Sequence, residues 1–414
     1  MLDLFPETAA VEDGELAIGG VRASTLAAEF DTPLVVYCKR TLVANAREYR
    51  AVDPDALVVY GTKAFANVAI MRLLAGEGLG ADASTLGELE FALAAGIPGE
   101  RIVFHGNNKS DGELAAAAGA RALIALDSAQ EVRRAAEAGA REVLIRLTPG
   151  IDAQTHHAIQ TARTESKFGL DPDQALAALN EARERLDPVG VHVHIGSQLT
   201  RVDESLEAVD ALVDFCRRCR DETGWTPRVI DLGGGLGIRH ARGDRVPTPH
   251  EFAGALVDRF RAQWDEPARI MLEPGRSLVG RAGVTLYRIG ATKWSGGVEF
   301  AAIDGGMSDN PRPQLYGARY EALLANRADE PARSEVRIAG KHCESGDVLI
   351  DRVELPAPRP GDLLAVPATG AYTLAMASNY NGVPRPAAVL VADGDARLIR
   401  RRETVDDLLA YETD

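Results

Sequence analysis

The sequence predicts an α/β domain followed by an all-β domain: a (β/α)8 TIM-type barrel, then an antiparallel β-sandwich or barrel. The first observation is the alternation, from residue 56 to 275, of apolar β-type runs with segments rich in Ala, Leu, Glu and Arg, which is typical of β-α units on a parallel sheet. The second is the change after Arg276 to short alternating runs between Gly, Pro and Asp turns, as in antiparallel strands. The third is the length of 414 residues, which exceeds one ordinary domain.

The first part contains eight predicted strands. Eight parallel strands with both faces covered favour a closed barrel over an open doubly wound sheet. Helices fill the intervals, such as residues 86–95 and 203–222. The predicted strands are residues 56–60, 80–83, 101–105, 122–126, 142–147, 189–195, 229–232 and 269–272.

The second part and the N-terminus set the expected domain boundaries. The N-terminal residues contain no β-α unit, so residues 1–32 are expected to pack with the β domain. The barrel is then expected at 33–278 and the C-terminal β domain at 279–414. The strands predicted in the β domain are residues 283–289, 300–303, 335–339, 362–366, 387–392 and 396–400.

Charge and composition exclude several classes of protein. Lys and Arg total 46 against 61 acidic residues, a net charge of −15, which opposes binding to nucleic-acid phosphates. No run approaches the roughly 18 apolar residues of a membrane span, and the first residues lack an export signal, so no membrane association is expected. Four cysteines do not make a disulfide framework, which favours a reducing cytoplasm. The C-x-x-C of Cys216 and Cys219 has no second pair and is expected to be incidental.

Lys63 is the candidate for chemistry through an amine. It directly follows the strand at 56–60, so its amine is expected at the barrel mouth, where catalytic loops gather. A desolvated lysine has a lowered pKa and forms Schiff bases, whereas the alternative is a strand-end lysine that reaches solvent. Candidates are few because the chain has six lysines: Lys39, Lys63, Lys109, Lys167, Lys293 and Lys341.

Two further strand ends carry polar or glycine-rich sequence. The glycines at 233–235 follow a strand and leave backbone N–H groups free to surround a phosphate, although a tight turn is an equal alternative. His192 and His194 share one face of their strand. A ring stacked on a planar cofactor, a metal ligand and an ordinary hydrogen-bonded histidine all remain open; no further metal ligands are visible, so no metal is predicted.

The eighth loop and the β domain supply the remaining candidates. Glu273 and Arg276 lie on one loop; they suit a pyridinium nitrogen and a carboxylate, or a structural ion pair. A lone thiol such as Cys343 is a proton donor or an inert core residue. The other candidates, each of which also reads as an ordinary loop residue, are Arg312, Tyr316 and Tyr372.

The order and separation of these segments resemble one family, the diaminopimelate decarboxylases, fold-type III pyridoxal-phosphate enzymes related to ornithine decarboxylase and alanine racemase. The most specific strings are His-Val-His-Ile-Gly-Ser-Gln at 192–198 and Cys-Glu-Ser-Gly-Asp at 343–347. The resemblance extends from about residue 33 to 408. The other matching segments are residues 61–65, 104–110, 166–169, 231–237, 273–276, 304–316 and 370–381.

The resemblance implies pyridoxal 5'-phosphate as cofactor and a role for each candidate. Lys63 would form the Schiff base, His194 would stack on the ring, and Glu273 would pair with the pyridine nitrogen. The phosphate would be bound by Gly233, Gly234 and Gly235 with Ser197 and Tyr372, and the other implied cofactor-binding residues are Asp82, Gly275 and Arg276. The implied substrate-binding residues are Arg276, Arg312, Tyr316, Glu344, Ser345 and Tyr372.

The resemblance also implies a reaction and an assembly. The enzyme would be a carboxy-lyase that converts meso-2,6-diaminopimelate to L-lysine and CO2, the last step of lysine biosynthesis. Cys343, as proton donor, and Glu344 would come from the other subunit of a homodimer with shared active sites. Glu344, where ornithine-type relatives carry aspartate, suits a distal amino-acid head that bears its own carboxylate.

Two alternatives remain beside this hypothesis. Leu86, in a loop where the family commonly has glycine, and the varied loop at 152–162 favour a decarboxylase of the same fold that acts on another basic or carboxylated amino acid. A barrel protein that binds the cofactor without turnover is the other alternative. The joint presence of Lys63, His194, Glu273 and Cys343 argues against it.

Overall fold

The computed structural model describes residues 1–150 and 166–413. The loop at 152–162, which motivated one alternative above, lies outside these residues. The chain divides into two compact units, of which the barrel unit comprises residues 45–237 and 246–277 and the sheet unit comprises residues 1–44, 238–245 and 278–414. The domain boundaries expected from sequence stay a prediction.

The barrel unit is a closed parallel barrel, which confirms the predicted fold class. Each of its eight strands pairs in parallel with the next, and the last pairs with the first through Met271 and Leu57. The histidine-bearing strand begins and ends two residues earlier than predicted, so His194 lies just past it. The strands are Leu57–Gly61, Gly80–Ala83, Ile102–Phe104, Leu123–Leu126, Glu142–Leu147, Asp187–Val193, Val229–Asp231 and Arg269–Leu272.

The barrel interior is a packed apolar core. Side chains from several different strands form one buried cluster, because alternate residues of each strand point inward. The cluster fills the barrel and leaves only the strand ends for polar groups. Its members are Leu57, Val59, Val103, Ala125, Leu144, Val189 and Met271.

The helices begin where the sequence supplies caps. Ser110 and Thr248 form capping boxes with glutamates three residues later, which satisfies otherwise unpaired N–H groups. Cys216 and Cys219 are buried on one face of their helix. None of the described helices is long and apolar enough to cross a membrane. The helices are Ala23–Phe30, Lys39–Arg50, Val68–Gly76, Leu86–Ala94, Asp111–Ala120, Ala129–Glu137, Pro172–Arg183, Asp203–Thr223, Pro249–Arg261, Arg276–Val279, Arg312–Tyr316 and Val405–Leu409.

The sheet unit is mostly antiparallel, as predicted, with two parallel pairings in its main sheet. Leu34–Cys38 runs parallel to Ala387–Ala392, and Val298–Ile303 runs parallel to Ser334–Ala339. The strands of this unit are Ala10–Glu12, Glu15–Ile18, Val21–Arg22, Leu34–Cys38, Gly283–Ser295, Val298–Ile303, Leu323–Leu324, Ser334–Ala339, Val348–Leu355, Leu363–Pro367, Ala387–Ala392 and Asp395–Arg400.

Sequence reasoning missed three strands of the main sheet, Leu34–Cys38, Leu323–Leu324 and Val348–Leu355. Leu34–Cys38 is followed directly by a helix, so the local pattern is that of a β-α unit, yet the strand pairs with Gly283–Ser295. Val348–Leu355 carries charged residues at its exposed positions and was not recognised as a strand. The N-terminal residues Phe5 and Leu16 share a buried cluster with Val284 and Val389 of this sheet.

Candidate active site

Polar side chains gather at the carboxyl ends of the barrel strands. Lys63 follows the first strand in a short turn, Asp82 lies on the second, and Glu273 follows the eighth. Because parallel strands present these ends at one face, residues far apart in sequence meet there. The site described below is built on this face.

Glu273 is the centre of a buried hydrogen-bonded group. Its two carboxylate oxygens lie 2.5 Å from Nε2 of His105 and 3.2 Å from Nε2 of His192. Burial opposes ionisation of Glu273, but the charges and hydrogen bonds of His105 and His192 hold its pKa well below the usual range. Burial lowers the pKa of His192 to about 4. Glu273 is therefore an ionised carboxylate that accepts two imidazole hydrogen bonds.

Asp231 is the second carboxyl group of this cluster. Burial, together with the negative charge of Glu273, raises the pKa of Asp231 well above its ordinary value. Its Oδ1 accepts the N–H of Gly233 at 2.9 Å. Two adjacent carboxyl groups do not both ionise in a buried site, so Glu273 carries the negative charge and Asp231 keeps its proton.

Four side chains of this cluster lie close enough together to hold a metal ion. Ligand atoms of His105, His192, Asp231 and Glu273 lie within 4.8 Å of one another. These are the partners that local sequence did not reveal beside His192. Nε2 of both histidines is already directed at Glu273, so the cluster forms a polarised carboxylate whose charge is available to a cationic ring nitrogen.

Lys63 and Asp82 face each other at the barrel mouth. The Lys63 amine lies 3.7 Å from Asp82 Oδ2, and its side chain is 46% exposed while that of Asp82 is 3% exposed. Burial raises the pKa of Asp82, and the positive charge of Lys63 opposes that rise. Oδ1 of Asp82 has no hydrogen-bond partner among the described residues. The amine is therefore accessible, next to a buried carboxyl group with spare hydrogen-bonding capacity.

The second strand-end lysine, Lys109, is not available for chemistry. Its amine donates to the carbonyls of Gly106 and Ala125, each at 2.7 Å, and to Glu131 at 3.0 Å. All three of its donors are thus in use, and its side chain is 1% exposed. Of Lys63 and Lys109, Lys63 is therefore the one whose amine a carbonyl compound can reach.

His194 and the three glycines form a second part of the site. The N–H of Gly234 donates to Nδ1 of His194 at 3.2 Å, so this nitrogen is an acceptor. Burial, with the positive charge of Lys63, lowers the pKa of His194 well below its usual value, so the ring is neutral. A Cβ on Gly234 would collide with the carbonyl oxygen of Glu273. Only glycine fits this close backbone approach.

Arg276 and Ser197 meet at the edge of the glycine loop. The Arg276 guanidinium donates to the Ser197 hydroxyl from Nη2 at 2.9 Å and from Nε at 3.3 Å. Gly275 lies against Gly61, since a Cβ on Gly275 would come within 3.1 Å of the Gly61 carbonyl oxygen. The alternative of a structural ion pair between Glu273 and Arg276 is not seen among the described residues, where Glu273 bonds to His105 and His192.

In the sheet unit, Arg312 is a buried cation with neutral partners. It donates to the Tyr320 hydroxyl at 2.6 Å and to Nε2 of His240 at 3.2 Å. The side chain lies in the short helix Arg312–Tyr316, whose Tyr316 is half-buried. Among the described residues of this unit, no carboxylate pairs with Arg312. Such a group is ready to bind an anion, because an unpaired buried charge is unfavourable.

The loop that carries Cys343, Glu344 and Ser345 is exposed, and a buried residue holds it in place. Its anchor is the buried Asp347, which accepts the N–H of Met307 at 2.7 Å and Nδ1 of His342 at 2.6 Å. The N–H of Cys343 donates to Asn381 at 3.0 Å. These three hydrogen bonds hold the backbone of the loop, whose three consecutive side chains Cys343, Glu344 and Ser345 are exposed. Tyr372 is half-buried in a turn with φ of +59°.

Sequence reasoning assigned no role to several residues of the site. His105 lies in the matching segment at 104–110 but was given no function, although its place directly after the third strand was a usable signal. Asp231 appears there only within the matching segment at 231–237, and His192 only as the partner of His194 on one strand face. Their connection to Glu273 depends on strands that are distant in sequence.

These features fit pyridoxal phosphate. Lys63 offers an accessible amine, and the glycines form a cradle that a Cβ would fill. Asp82 has a buried oxygen without a hydrogen-bond partner among the described residues. The ionised Glu273 suits a protonated ring nitrogen, and the neutral His194 offers an uncharged ring surface beside Lys63. Together these protein groups suit a planar, anionic cofactor that carries one cationic ring nitrogen.

Comparison with known proteins supports this interpretation. A family model described as pyridoxal-dependent decarboxylase, pyridoxal binding domain, matches residues 39–280. The chain is 42% identical over 422 residues to diaminopimelate decarboxylase of Bacillus subtilis, covering 97% of this chain and 96% of that protein. It is 42% identical over 426 residues to the Mycobacterium tuberculosis protein of the same name, with coverages of 97% and 95%.

Solved structures of related decarboxylases have the same fold as this chain. The crystal structure of diaminopimelate decarboxylase from M. jannaschii in co-complex with L-lysine is 35% identical, with a TM-score of 0.92 and coverages of 99% of this chain and 98% of that chain. A Vibrio vulnificus lysine/ornithine decarboxylase, 22% identical with a TM-score of 0.79, covering 89% and 97%, shares the fold. By the family match, the near-complete coverage and the barrel-face site, the chain belongs to the diaminopimelate decarboxylase family of pyridoxal-dependent decarboxylases.

Proposed function

We propose that this chain removes CO2 from meso-2,6-diaminopimelate to give L-lysine, as the last step of lysine biosynthesis, with pyridoxal 5'-phosphate as cofactor. The observation that carries the substrate assignment is Arg312, a buried guanidinium with only neutral hydrogen-bond partners in its unit. In a chain of net charge −15, such a cation is a local attraction for a substrate carboxylate. Diaminopimelate differs from lysine by a second carboxylate.

The barrel residues hold the cofactor and set its electronics. Lys63 would bind it covalently, and Gly233, Gly234 and Gly235, with Ser197, Arg276 and Tyr372, would surround its phosphate. When bound, pyridoxal phosphate supplies an electron sink for the electron pair left after CO2 departs. The ionised Glu273 favours a protonated ring nitrogen, and His105 and His192 keep that carboxylate ionised.

The remaining barrel residues orient the reaction. The neutral ring of His194 would cover one face of the cofactor, fixed by the N–H of Gly234 at its Nδ1. Asp82 lies beside the Lys63 amine and would hold it in place or exchange a proton with it. Gly275 allows the backbone to pass close to Gly61.

Positively charged residues would bind the carboxylates of the substrate, and a negatively charged residue would bind its distal ammonium group. Arg276, Arg312 and Tyr316 would bind carboxylates, since a guanidinium binds carboxylate in bidentate geometry. Glu344, with Ser345 and Tyr372, would meet the distal ammonium group. In the overall change the bond between the α-carbon and its carboxylate breaks, CO2 leaves, and a proton takes its place at that carbon.

The proton donor would be Cys343 from a second copy of the chain. Cys343, Glu344 and Ser345 are exposed on a loop anchored by Asp347, which suits a contribution to a neighbour's site. The proposed assembly is a homodimer with shared active sites, and the proposed location is the cytoplasm.

Leu86 does not favour the alternative substrate. Its side chain is 43% exposed at the start of helix Leu86–Ala94, where its N–H donates to Glu113. A residue that faces solvent at a helix start gives no specific reason to change the substrate. Arg312 favours a substrate that carries a second carboxylate, and Leu86 adds no reason to prefer a basic amino acid.

The test is a substrate comparison on the purified protein. CO2 release is measured with meso-diaminopimelate, L-lysine, L-ornithine and L-arginine, and turnover is expected with meso-diaminopimelate. Activity on another of these amino acids, without activity on meso-diaminopimelate, would refute the proposal. Lys63→Ala is expected to lose the visible absorbance of the lysine-bound cofactor.

A second experiment tests the shared site. Lys63→Ala and Cys343→Ala chains are each expected to be nearly inactive, and mixed dimers are expected to regain up to about a quarter of the activity, because one site then has both residues intact. Failure of mixed dimers to regain activity contradicts a shared site. Cys343→Ala alone is expected to keep its cofactor.

A further inference from the structure

His240 is a buried side chain that the proposed mechanism does not use. It belongs to the segment 238–245 of the sheet unit and is 8% exposed. Its Nε2 lies 3.2 Å from both Nη1 and Nη2 of Arg312. Its ring is tilted against that of Tyr320, with 5.4 Å between ring centroids. One imidazole nitrogen therefore faces the end of the guanidinium.

The contact fixes the protonation of His240. A guanidinium has donors only, so Nε2 must be the acceptor. The proton of a neutral imidazole then lies on Nδ1. Arg312 is thus held by two uncharged groups, and no part of its positive charge is cancelled by an adjacent carboxylate in its unit.

The hydrogen bonds also select one edge of the guanidinium. A guanidinium has five N–H donors in a planar fork. Nη1 donates to Tyr320 and His240, and Nη2 donates once to His240. Nε has no hydrogen-bond partner among the described residues. The donors left are Nε–H and one Nη2–H, which lie side by side and match the two oxygens of a carboxylate.

We propose that His240, together with Tyr320, is a neutral seat for Arg312 that aims its Nε/Nη2 edge at a substrate carboxylate and preserves its full charge. His240 is thus a positioning residue, and this inference rests on the proposed function. A carboxylate in place of the imidazole would hold the guanidinium as firmly but would neutralise it. The absence of negative charge on His240 and Tyr320, and not only their shape, then favours a dicarboxylic substrate.

Two substitutions separate charge from shape. His240→Gln places a neutral amide oxygen or nitrogen where Nε2 now lies, and His240→Glu places a carboxylate there. His250→Glu makes the same charge change at an exposed histidine and is the matched control. The holoenzymes are compared by KM and kcat for meso-diaminopimelate, thermal midpoint and visible absorbance.

The expected result is a split between KM and kcat. His240→Glu is expected to raise KM at least about tenfold, with kcat within about threefold, unchanged absorbance and a thermal midpoint that is not lowered. His240→Gln is expected to keep KM within about threefold of the wild type, and His250→Glu to change neither constant. Equal KM values for the wild type and His240→Glu, or equal increases in His240→Glu and His240→Gln, overturn the proposal.

A binding measurement separates this proposal from the proposed function. Glutarate, a dicarboxylate that cannot be decarboxylated by this route, is titrated calorimetrically into the same holoenzymes. At least tenfold weaker binding to His240→Glu than to the wild type and His240→Gln supports the neutral seat even where the wild type fails to act on meso-diaminopimelate. Glutarate affinity that is the same in all three proteins, or absent from the wild type, overturns it.

Discussion

The histidine–glutamate cluster predicts a specific acid sensitivity of folding that depends on His192. Burial lowers the pKa of His192 from 6.5 to about 4. Below pH 6.5 His192 becomes protonated in the unfolded chain, whereas in the folded chain it stays neutral down to about pH 4. The free energy of unfolding therefore falls as the pH falls through this window, and the contribution is constant below it.

The magnitude follows from the two pKa values. For a pKa of 6.5 in the unfolded chain and about 4 in the folded chain, the loss between pH 7 and pH 5 is about 2 kcal/mol. His192→Gln removes the titration, while its side-chain amide still reaches the oxygen of Glu273 that now accepts from Nε2 at 3.2 Å. The variant is expected to lose about 2 kcal/mol less than the wild type over this interval.

The assay is urea unfolding at pH 7 and pH 5, followed by circular dichroism on cofactor-free protein. Other groups that titrate in this interval are common to both proteins. The loss of unfolding free energy from pH 7 to pH 5 in the wild type, minus the same loss in His192→Gln, therefore gives the contribution of His192. His250→Gln, at an exposed histidine, is the control and is expected to follow the wild type. If His192→Gln loses as much stability as the wild type, the imidazole is not buried in its neutral form and the reasoning is wrong.

Three further predictions concern other parts of the site. Lys109→Met breaks a buried ion pair and should lower the free energy of unfolding by about 3–5 kcal/mol in urea while the visible absorbance of the cofactor persists; unchanged stability would contradict the contacts described. Gly234→Ala forces a Cβ against the Glu273 carbonyl and should weaken cofactor binding about tenfold, or about 1.4 kcal/mol, in an absorbance titration; an unaltered affinity counts against the cradle. Asp347→Asn loosens the loop of Cys343 and should lower kcat about tenfold, or about 1.4 kcal/mol, with cofactor affinity unchanged; a wild-type kcat in steady-state assays shows that the anchor is not needed.

The fold class could be read from local pattern because each barrel strand is a self-contained signal. All eight strands are present, since a run buried on both faces is apolar throughout, and most ends agree within one or two residues. The sheet unit was harder. Leu34–Cys38 has the local sequence of a β-α unit, and only its pairing with Gly283–Ser295 reveals where it belongs.

The candidate site divides in the same way. Lys63, His194 and the glycines were found because each lies directly after an apolar run, where barrel loops collect. The bonds of Glu273 to His105 and His192 were not foreseen, because they join strands separated by 168 and 81 residues. Nothing in either local sequence specifies the distance between two such side chains.

The barrel, the scarcity of lysines, the segments that carry chemistry and, through their order, the family could all be inferred from the amino-acid sequence. Which of those groups act together became clear only from the folded structure. It engaged Lys109 in three hydrogen bonds and left the Lys63 amine accessible, and it seated Arg312 on neutral partners. The physical reason is that charge, protonation and reactivity depend on burial and on neighbours within a few ångströms, and folding brings those neighbours from distant parts of the chain.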